Sequence, residues 1–276
     1  MNINCKGTIL NLDQPIVMGI LNLNEDSFFK GSRIKNENQL IQKTQQMLEE
    51  GARIIDIGGM SSRPGAKIIS EDEEADRVLP MLTALIKQFP DIIISIDTIR
   101  ARIAERSLDL GASIINDISG FKYDPALPSI CQRYNAPYIL MHMKGEPENM
   151  QKQPSYKDVS LEVLDFFIQK IAALRKAYVN DIILDPGFGF GKTVDHNYTL
   201  LKQMQIFKIL ELPLLAGISR KSMITGVLNV PVDGALNGST ALHMIALQKG
   251  AKILRVHDVK EAMEVIKLFM AFESAN

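Results

Sequence analysis

The sequence predicts an α/β protein built as a (β/α)8 TIM barrel, on three observations. Eight short apolar runs alternate with helix-like stretches along the 276 residues. The runs are rich in Ile, Leu and Val with little polar alternation, the pattern of parallel strands covered on both faces. The chain length sits near the roughly 250 residues of one such barrel, enough to bury a large core without staples.

The elements follow in order. Residues 1–14 carry β-forming residues around Lys6-Gly7 and predict a short N-terminal β-hairpin over the barrel floor. The strands are IVMGILN (16–22), RIIDIGG (53–59), IIISID (92–97), SIINDI (113–118), YILMHM (138–143), DIILDP (181–186), PLLAGIS (213–219) and KILRVH (252–257). Helices are expected near 36–50, 71–88, 100–109, 125–134, 158–178, 196–210, 238–249 and 259–272. Ser70 and Glu73 form a capping-box pattern before the second helix, which Pro80 is expected to kink or divide. Asp124-Pro125 reads as an N-cap followed by Pro at the first helical position. No linker or composition shift interrupts the pattern, so residues 1–276 are expected to form a single domain.

Barrel enzymes place their chemistry at the C-terminal ends of the strands. The runs end at or near Asn22, Asp56, Asp97, Asn116, His142, Asp185, Ser219, and Arg255 with His257. Loops 23–35, 60–70, 144–157 and 220–237 follow strands and are long, whereas the loops entering strands are short. The lengthened loops therefore lie on the catalytic face.

Composition excludes several classes of function. A net charge of −1 gives no reason to expect nucleic acid or a membrane surface as partner. Cys5 and Cys131 alone fit a reducing compartment and no disulfide framework. The opening MNINCKGTIL has no basic stretch leading into a long apolar segment, and no run approaches the ~20 residues of a membrane span. A cytoplasmic protein is expected.

Three carboxylates at strand ends, Asp56, Asp97 and Asp185, joined by Asn116, either bond backbone and basic neighbours or bind a ligand with several donors. A flat heterocycle with an N–C–NH₂ edge would pair with a carboxylate as guanidinium does. Arg255 and His257 alternate, so they share a face; with Arg63, Arg220 and Lys221 they form an anion site or a set of salt bridges. Ser222 stands where a helix can begin and attract an anion. DPGFGFGKT (185–193) is no Walker A loop, because Pro occupies position 186. Its glycines give a tight turn, with Phe188 and Phe190 as aromatic walls or core residues. The four histidines lack metal-binding spacing, whereas Asn22 with ligand phosphates would suffice for Mg2+.

MGILNLNEDSF (18–28), IDIGGMSSRPGA (55–66), SIDT (95–98), NDISG (116–120), DPGFGFGK (185–192), SRKS (219–222) and RVHD (255–258) occur in the order and spacing of one family. Across essentially the whole chain the sequence resembles the dihydropteroate synthases. The resemblance implies an enzyme of folate biosynthesis that joins 6-hydroxymethyl-7,8-dihydropterin pyrophosphate to p-aminobenzoate, with Mg2+, by an SN1-like displacement of pyrophosphate. It also implies a sulfonamide target and a homodimer. By position it implies a pterin pocket of Asp56, Asp97, Asn116, Asp185 and Lys221. Asn22, Arg63, Arg255 and His257 match the pyrophosphate site, with Asn22 at the metal. Phe28, Ser62, Pro64, Phe190, Lys221 and Ser222 match the p-aminobenzoate region. Asp97, Lys221, Arg255 and His257 are the residues expected to carry the chemistry.

The sequence departs from the family in two loops. NEDSF stands where TPDSF is usual, and GGMSSRPGA where GGESTRPGA is usual, so Met60 replaces Glu and Ser62 replaces Thr. Two other readings compete: a methyltetrahydrofolate-dependent methyltransferase-like pterin binder, which needs no Arg63, Ser222 or RVH anion site, and a catalytically silent paralogue, which would have lost pocket residues. Residues 23–35 and 60–70 are expected to close as lids over the p-aminobenzoate pocket once the pterin is bound. The final helix spreads apolar residues over more than one face, as a dimer contact would.

Overall fold

Residues 2–11 fold as an antiparallel pair, β1 (Asn2–Cys5) and β2 (Thr8–Asn11), turning at Lys6 and Gly7, both at positive φ. Glycine takes that conformation freely, so the turn is cheap at position 7. The hairpin's inner residues, Ile3, Cys5, Leu10 and Leu12, are buried against the lowest layer of the barrel, as the sequence predicted. The structure, a computed structural model, describes residues 1–23, 33–60, 68–146, 150–151 and 153–275, the side chains of residues 33–36 apart.

Eight strands close the barrel: β3 (Ile16–Asn22), β4 (Ile54–Gly58), β5 (Ile94–Asp97), β6 (Ile114–Asp117), β7 (Tyr138–Met141), β8 (Ile182–Asp185), β9 (Leu214–Ala216) and β10 (Ala251–Val256). Each pairs in parallel with its neighbour, and β10 returns to β3. The surrounding helices are α1 (Arg33–Glu49), α2 (Glu71–Gln88), α3 (Ala101–Leu110), α4 (Leu127–Tyr134), α5 (Val159–Lys176), α6 (Val194–Gln203), α7 (Ser222–Leu228), α8 (Leu236–Gln248) and α9 (Val259–Glu273). Successive strand residues face alternately the helices and the interior. Val17, Ile55, Ile115, Leu184 and Leu254 face outward into the main core, while Met18, Ile54, Ile114, Ile183 and Ile253 fill the barrel's lower interior.

The structure corrects five local expectations. Pro80 does not divide α2, which runs unbroken from Glu71 to Gln88. Ala75, Val78, Leu82 and Leu85 are buried on both sides of the proline, and that packing offsets the lost backbone bond. Ser70 caps α2 through the Glu73 amide at 3.2 Å, but the Glu73 carboxylate pairs with Arg77 and leaves the box half made. Asp124 does not cap a helix beginning at Pro125, because α4 starts at Leu127; its carboxylate accepts from the amides of Ala126 (3.1 Å) and Ala101 (2.7 Å), so it also tethers the start of α3. The helix expected at 196–210 tightens to 3₁₀ geometry after Gln203, and the loop expected at 220–237 contains α7 and a 3₁₀ turn.

Candidate active site at the C-terminal barrel mouth

The interior of the barrel changes character two residues above its apolar floor. Ile54 is followed on the same face by Asp56, Ile114 by Asn116, Ile183 by Asp185, Leu215 by Gly217 and Ile253 by Arg255. Period-two alternation turns each of these positions, four of them polar, toward the barrel interior above the apolar floor. The neighbouring Asp117 points outward, where it accepts from Tyr138 Oη and from the Ser119 amide at 2.8 Å, and serves the helix-facing core.

The layer is a connected network. Arg255 Nε donates to Asp56 at 2.7 Å and Nη2 donates to Asp97 at 2.9 Å. Asn116 Nδ2 donates to Asp56 at 3.1 Å. Asp56 is fully buried, and it sits mid-strand in β4 rather than closing it. Burial pushes the Asp97 carboxyl up to about 7; Arg255 opposes that rise, while the charges of Asp56 and Glu74 add to it. Burial also works against the charge on Arg255, but Asp56 and Asp97 outweigh it and hold the guanidinium firmly protonated. Arg255 Nη1 is left without a hydrogen bond among the described residues, which makes it a donor available to an anion.

Across the mouth, Asp185 and Lys221 face one another beside Gly217. A Cβ at Gly217 would lie 3.8 Å from Asp185 Oδ2, 3.9 Å from Lys221 Nζ and 4.0 Å from Arg255 Cβ, so all three residues converge on one point. Burial lowers the Lys221 amine to about 8 against the opposing pull of Asp185. Burial raises the Asp185 carboxyl, held back by Lys221 and by the Gly187 amide, which donates to it at 2.8 Å. Lys221 Nζ lies 4.6 Å from the Phe190 ring centroid and donates to the Phe188 carbonyl.

The remaining expected residues take distinct places. Phe190 belongs to an apolar cluster at the mouth with Met60, Ile118 and Met141, so the substituted Met60 is an apolar part of this rim. Phe188 is fully buried in the main core and walls nothing. His257 lies one residue beyond β10 and faces Ser219, whose Oγ is 3.3 Å from Nδ1. Arg220 is no anion ligand: it makes a two-pronged pair with Asp258 at 2.9 and 2.7 Å. Ser222 is the exposed first residue of α7. Asn22 ends β3 in register with Gly58, which is itself paired with Asp97. Phe28, Ser62, Arg63 and Pro64 lie outside the described residues, as do most of the loops expected to act as lids.

Sequence reasoning passed over Lys192 beneath the glycine loop. Its only sequence signal is a lysine placed directly after the FGFG run. The structure buries it to 2% exposure among loop carbonyls.

The pterin-binding enzyme family matches this chain over residues 18–257. The dihydropteroate synthase of Escherichia coli strain K12 is 43% identical over 277 aligned positions, spanning 100% of this chain and 98% of that protein. The chain belongs to the dihydropteroate synthase family of pterin-binding enzymes. The family's enzyme from Haemophilus influenzae is 41% identical and covered end to end by this chain. Among solved structures, the Yersinia pestis dihydropteroate synthase, described as a sulfonamide drug complex, superposes with a TM-score of 0.93 at 44% identity over 100% of both chains. The Xanthomonas albilineans family member in complex with 7,8-dihydropteroate gives 0.89 at 32% identity, again over 100% of both chains.

Proposed function

We infer that the chain is a dihydropteroate synthase, condensing 6-hydroxymethyl-7,8-dihydropterin pyrophosphate with p-aminobenzoate to give 7,8-dihydropteroate and pyrophosphate. The observation that carries this reading is end-to-end similarity to dihydropteroate synthases combined with the buried layer of Asp56, Asp97, Asn116, Asp185, Lys221 and Arg255 at the barrel mouth.

The pterin is read as lying in that layer. Asp185 offers its carboxylate to the N–C–NH₂ edge, and Lys221 faces the same space from α7's start. Asp97 and Asn116 face the rest of the ring, with Asp56 behind them. Arg255, whose Nη1 has no hydrogen bond among the described residues, and His257 receive the pyrophosphate, together with Arg63. As the bond between the methylene carbon and the pyrophosphate oxygen breaks, its electron pair leaves on the phosphate. These cations stabilise that charge. The cation formed at the exocyclic carbon is delocalised into the dihydropterin ring and favoured by the carboxylates around it. The aniline nitrogen then bonds to that carbon and loses a proton. Aniline is a weak base, so positioning contributes more than base catalysis. Phe28, Ser62, Pro64, Phe190, Lys221 and Ser222 are read as the surface that holds p-aminobenzoate.

Among the described residues, no three His, Cys, Asp or Glu side chains gather around a point that could hold a metal. The Asn22 side-chain amide ends β3 with no hydrogen bond among the described residues, so its oxygen fits Mg2+ that would be held chiefly by the substrate's phosphate oxygens. When bound, Mg2+ neutralises charge on the leaving pyrophosphate.

We read residues 1–276 as one catalytic domain acting in the cytoplasm as a homodimer. No helix among the described residues is long and apolar enough to cross a membrane. Leu268 and Phe272, one turn apart on α9, are 64% and 63% exposed, an apolar pair suited to a subunit contact. The deciding experiment is product formation from the two purified substrates with and without Mg2+. Dihydropteroate formed only when the metal is present supports the reading; no product under either condition rejects it.

A further inference from the structure

In the glycine loop after β8, each carbonyl from Gly187 to Gly191 accepts from a side chain. Gly187 O accepts from Lys192 Nζ at 2.8 Å, Phe188 O from Lys221, Gly189 O from Gln151, Phe190 O from Lys192 at 3.2 Å and Gly191 O from Tyr156 Oη at 2.8 Å. The loop also leaves no room for other residues at two points. A Cβ at Gly187 would sit 1.9 Å from His142 O, and one at Gly191 2.0 Å from Lys144 O.

Lys192 is the member that grips the loop twice. Its ammonium is fully enclosed, with His142 Nδ1 at 3.0 Å as third acceptor. The His142 carbonyl, at 3.4 Å, is a fourth, so the ammonium meets neutral acceptors on every side and no described carboxylate forms an ion pair with it. A buried lysine without an ion pair is costly, and packing alone needs only its carbon chain. The Phe190 amide already donates to Gly187 O at 3.1 Å, and what the ammonium adds is a second tie that binds Gly187 O and Phe190 O to one buried point. The two groups the site uses belong to this clamped stretch: the Gly187 amide, in the same residue as the first carbonyl, donates to Asp185, and the Phe188 carbonyl, between the two, accepts from Lys221.

We propose that Lys192 is a positioning residue of the reaction, acting through the glycine loop to aim Asp185 and Lys221 at the pterin. This rests on the reading of Asp185 and Lys221 as pterin ligands. The geometry also gives His142 a share in the task, as the neutral acceptor that fixes the Lys192 ammonium. On the anion side of the site, Arg255 on β10 and His257 one residue beyond it form no hydrogen bond with Lys192.

The test is calorimetric titration of the full-length Lys192→Met variant with 6-hydroxymethylpterin and, separately, with inorganic pyrophosphate and Mg2+. Displacing aligned groups by even an ångström costs far more than a loose contact, so pterin affinity is expected to fall about tenfold or more. Pyrophosphate affinity is expected to stay within about twofold, because its ligands lie on another strand. General destabilisation does not produce that split. Pterin affinity within about twofold of the parent, or an equal loss for both ligands, overturns the proposal. If Lys192→Met does not fold, His142→Leu and His142→Asn decide the matter: Leu removes the Nδ1 acceptor, leaves only the longer 3.4 Å contact to the backbone carbonyl of that position, and is expected to weaken pterin binding, while Asn restores a side-chain acceptor and affinity. Equal pterin affinity in those two variants also overturns it. Asp185→Asn, titrated alongside, separates the two readings: unchanged pterin affinity there rejects the pterin pocket itself, whereas loss there with an unaffected Lys192→Met rejects only the role of Lys192.

Discussion

Arg255→Met removes the one cation that spans Asp56 and Asp97, and its effect is expected to depend on pH in a defined direction. Two charge-assisted hydrogen bonds, at 2.7 and 2.9 Å, are lost, and the carboxylates are left in a site where Asp56 is fully buried. Breaking a buried pair by removing one partner costs roughly 3–5 kcal/mol. Asp97 can relieve part of that cost by taking a proton. In the parent it holds its proton up to about pH 7, while the unfolded chain releases it near the ordinary carboxylate value. The folded state therefore binds more protons than the unfolded state between those values. Stability from this group falls as pH rises through that window and is level above pH 7. Without Arg255, which lowers the Asp97 value, the fall extends above pH 7. The cost of the substitution is then expected to be about 3 kcal/mol at pH 7, growing by about 1.4 kcal/mol per pH unit above it. Urea unfolding followed by far-ultraviolet circular dichroism at pH 7 and 8.5 measures both terms. Adding Asp97→Asn to the variant is expected to abolish the extra pH dependence. A cost that is the same at both pH values and insensitive to Asp97→Asn would refute this account of the network.

Three further outcomes are expected. Asp185→Asn keeps shape but loses the charge and mismatches a donor, so calorimetry on the folded variant is expected to show pterin binding weakened by roughly 2–5 kcal/mol; unchanged affinity rejects the pairing. The pH profile of kcat/KM is expected to be a narrow bell, rising as Asp97 ionises near pH 7 and falling as Lys221 deprotonates near pH 8. In Lys221→Arg the alkaline limb is expected to disappear from the assayed range, and an unmoved limb removes Lys221 from that role. His243 is buried on α8 with no hydrogen bond to either ring nitrogen among the described residues, and burial lowers its value to about 4. The unfolded chain takes up that proton near pH 6.5 and the folded chain only near pH 4, so the stability contribution is complete above 6.5 and is lost as pH falls toward 4. That contribution is roughly 3 kcal/mol, so the stability difference between parent and His243→Leu is expected to shift by a comparable amount between pH 7 and 4.5; a constant difference refutes it.

The strand positions, the barrel and the hairpin beneath it were legible in the sequence because one physical signal governs them all. A strand buried on both faces must be apolar throughout, so a polar residue near its C-terminal end stands out, and period two says which way that residue points. Asn116 inward and Asp117 outward follow from that rule. The family resemblance, carried by seven motifs in order, added the expected roles of these residues. What the sequence did not determine was which of them touch. Arg255 was expected either in an anion site or in salt bridges; its hydrogen bonds go to Asp56 and Asp97, 199 and 158 residues away along the chain. Arg220, next to Lys221, bonds to Asp258 and not to a ligand site, because a positive φ at Arg220 turns adjacent residues to different sides. Pro80 stayed within a continuous helix because packing on both sides outweighed its local preference. Lys192 gave no periodic signal, since its role depends on carbonyls, and every residue carries a carbonyl. Local chemistry and periodicity determine where each side chain stands in its own element; the pairing of charges and the capture of backbone oxygens depend on distances between elements, and only the closed barrel sets those.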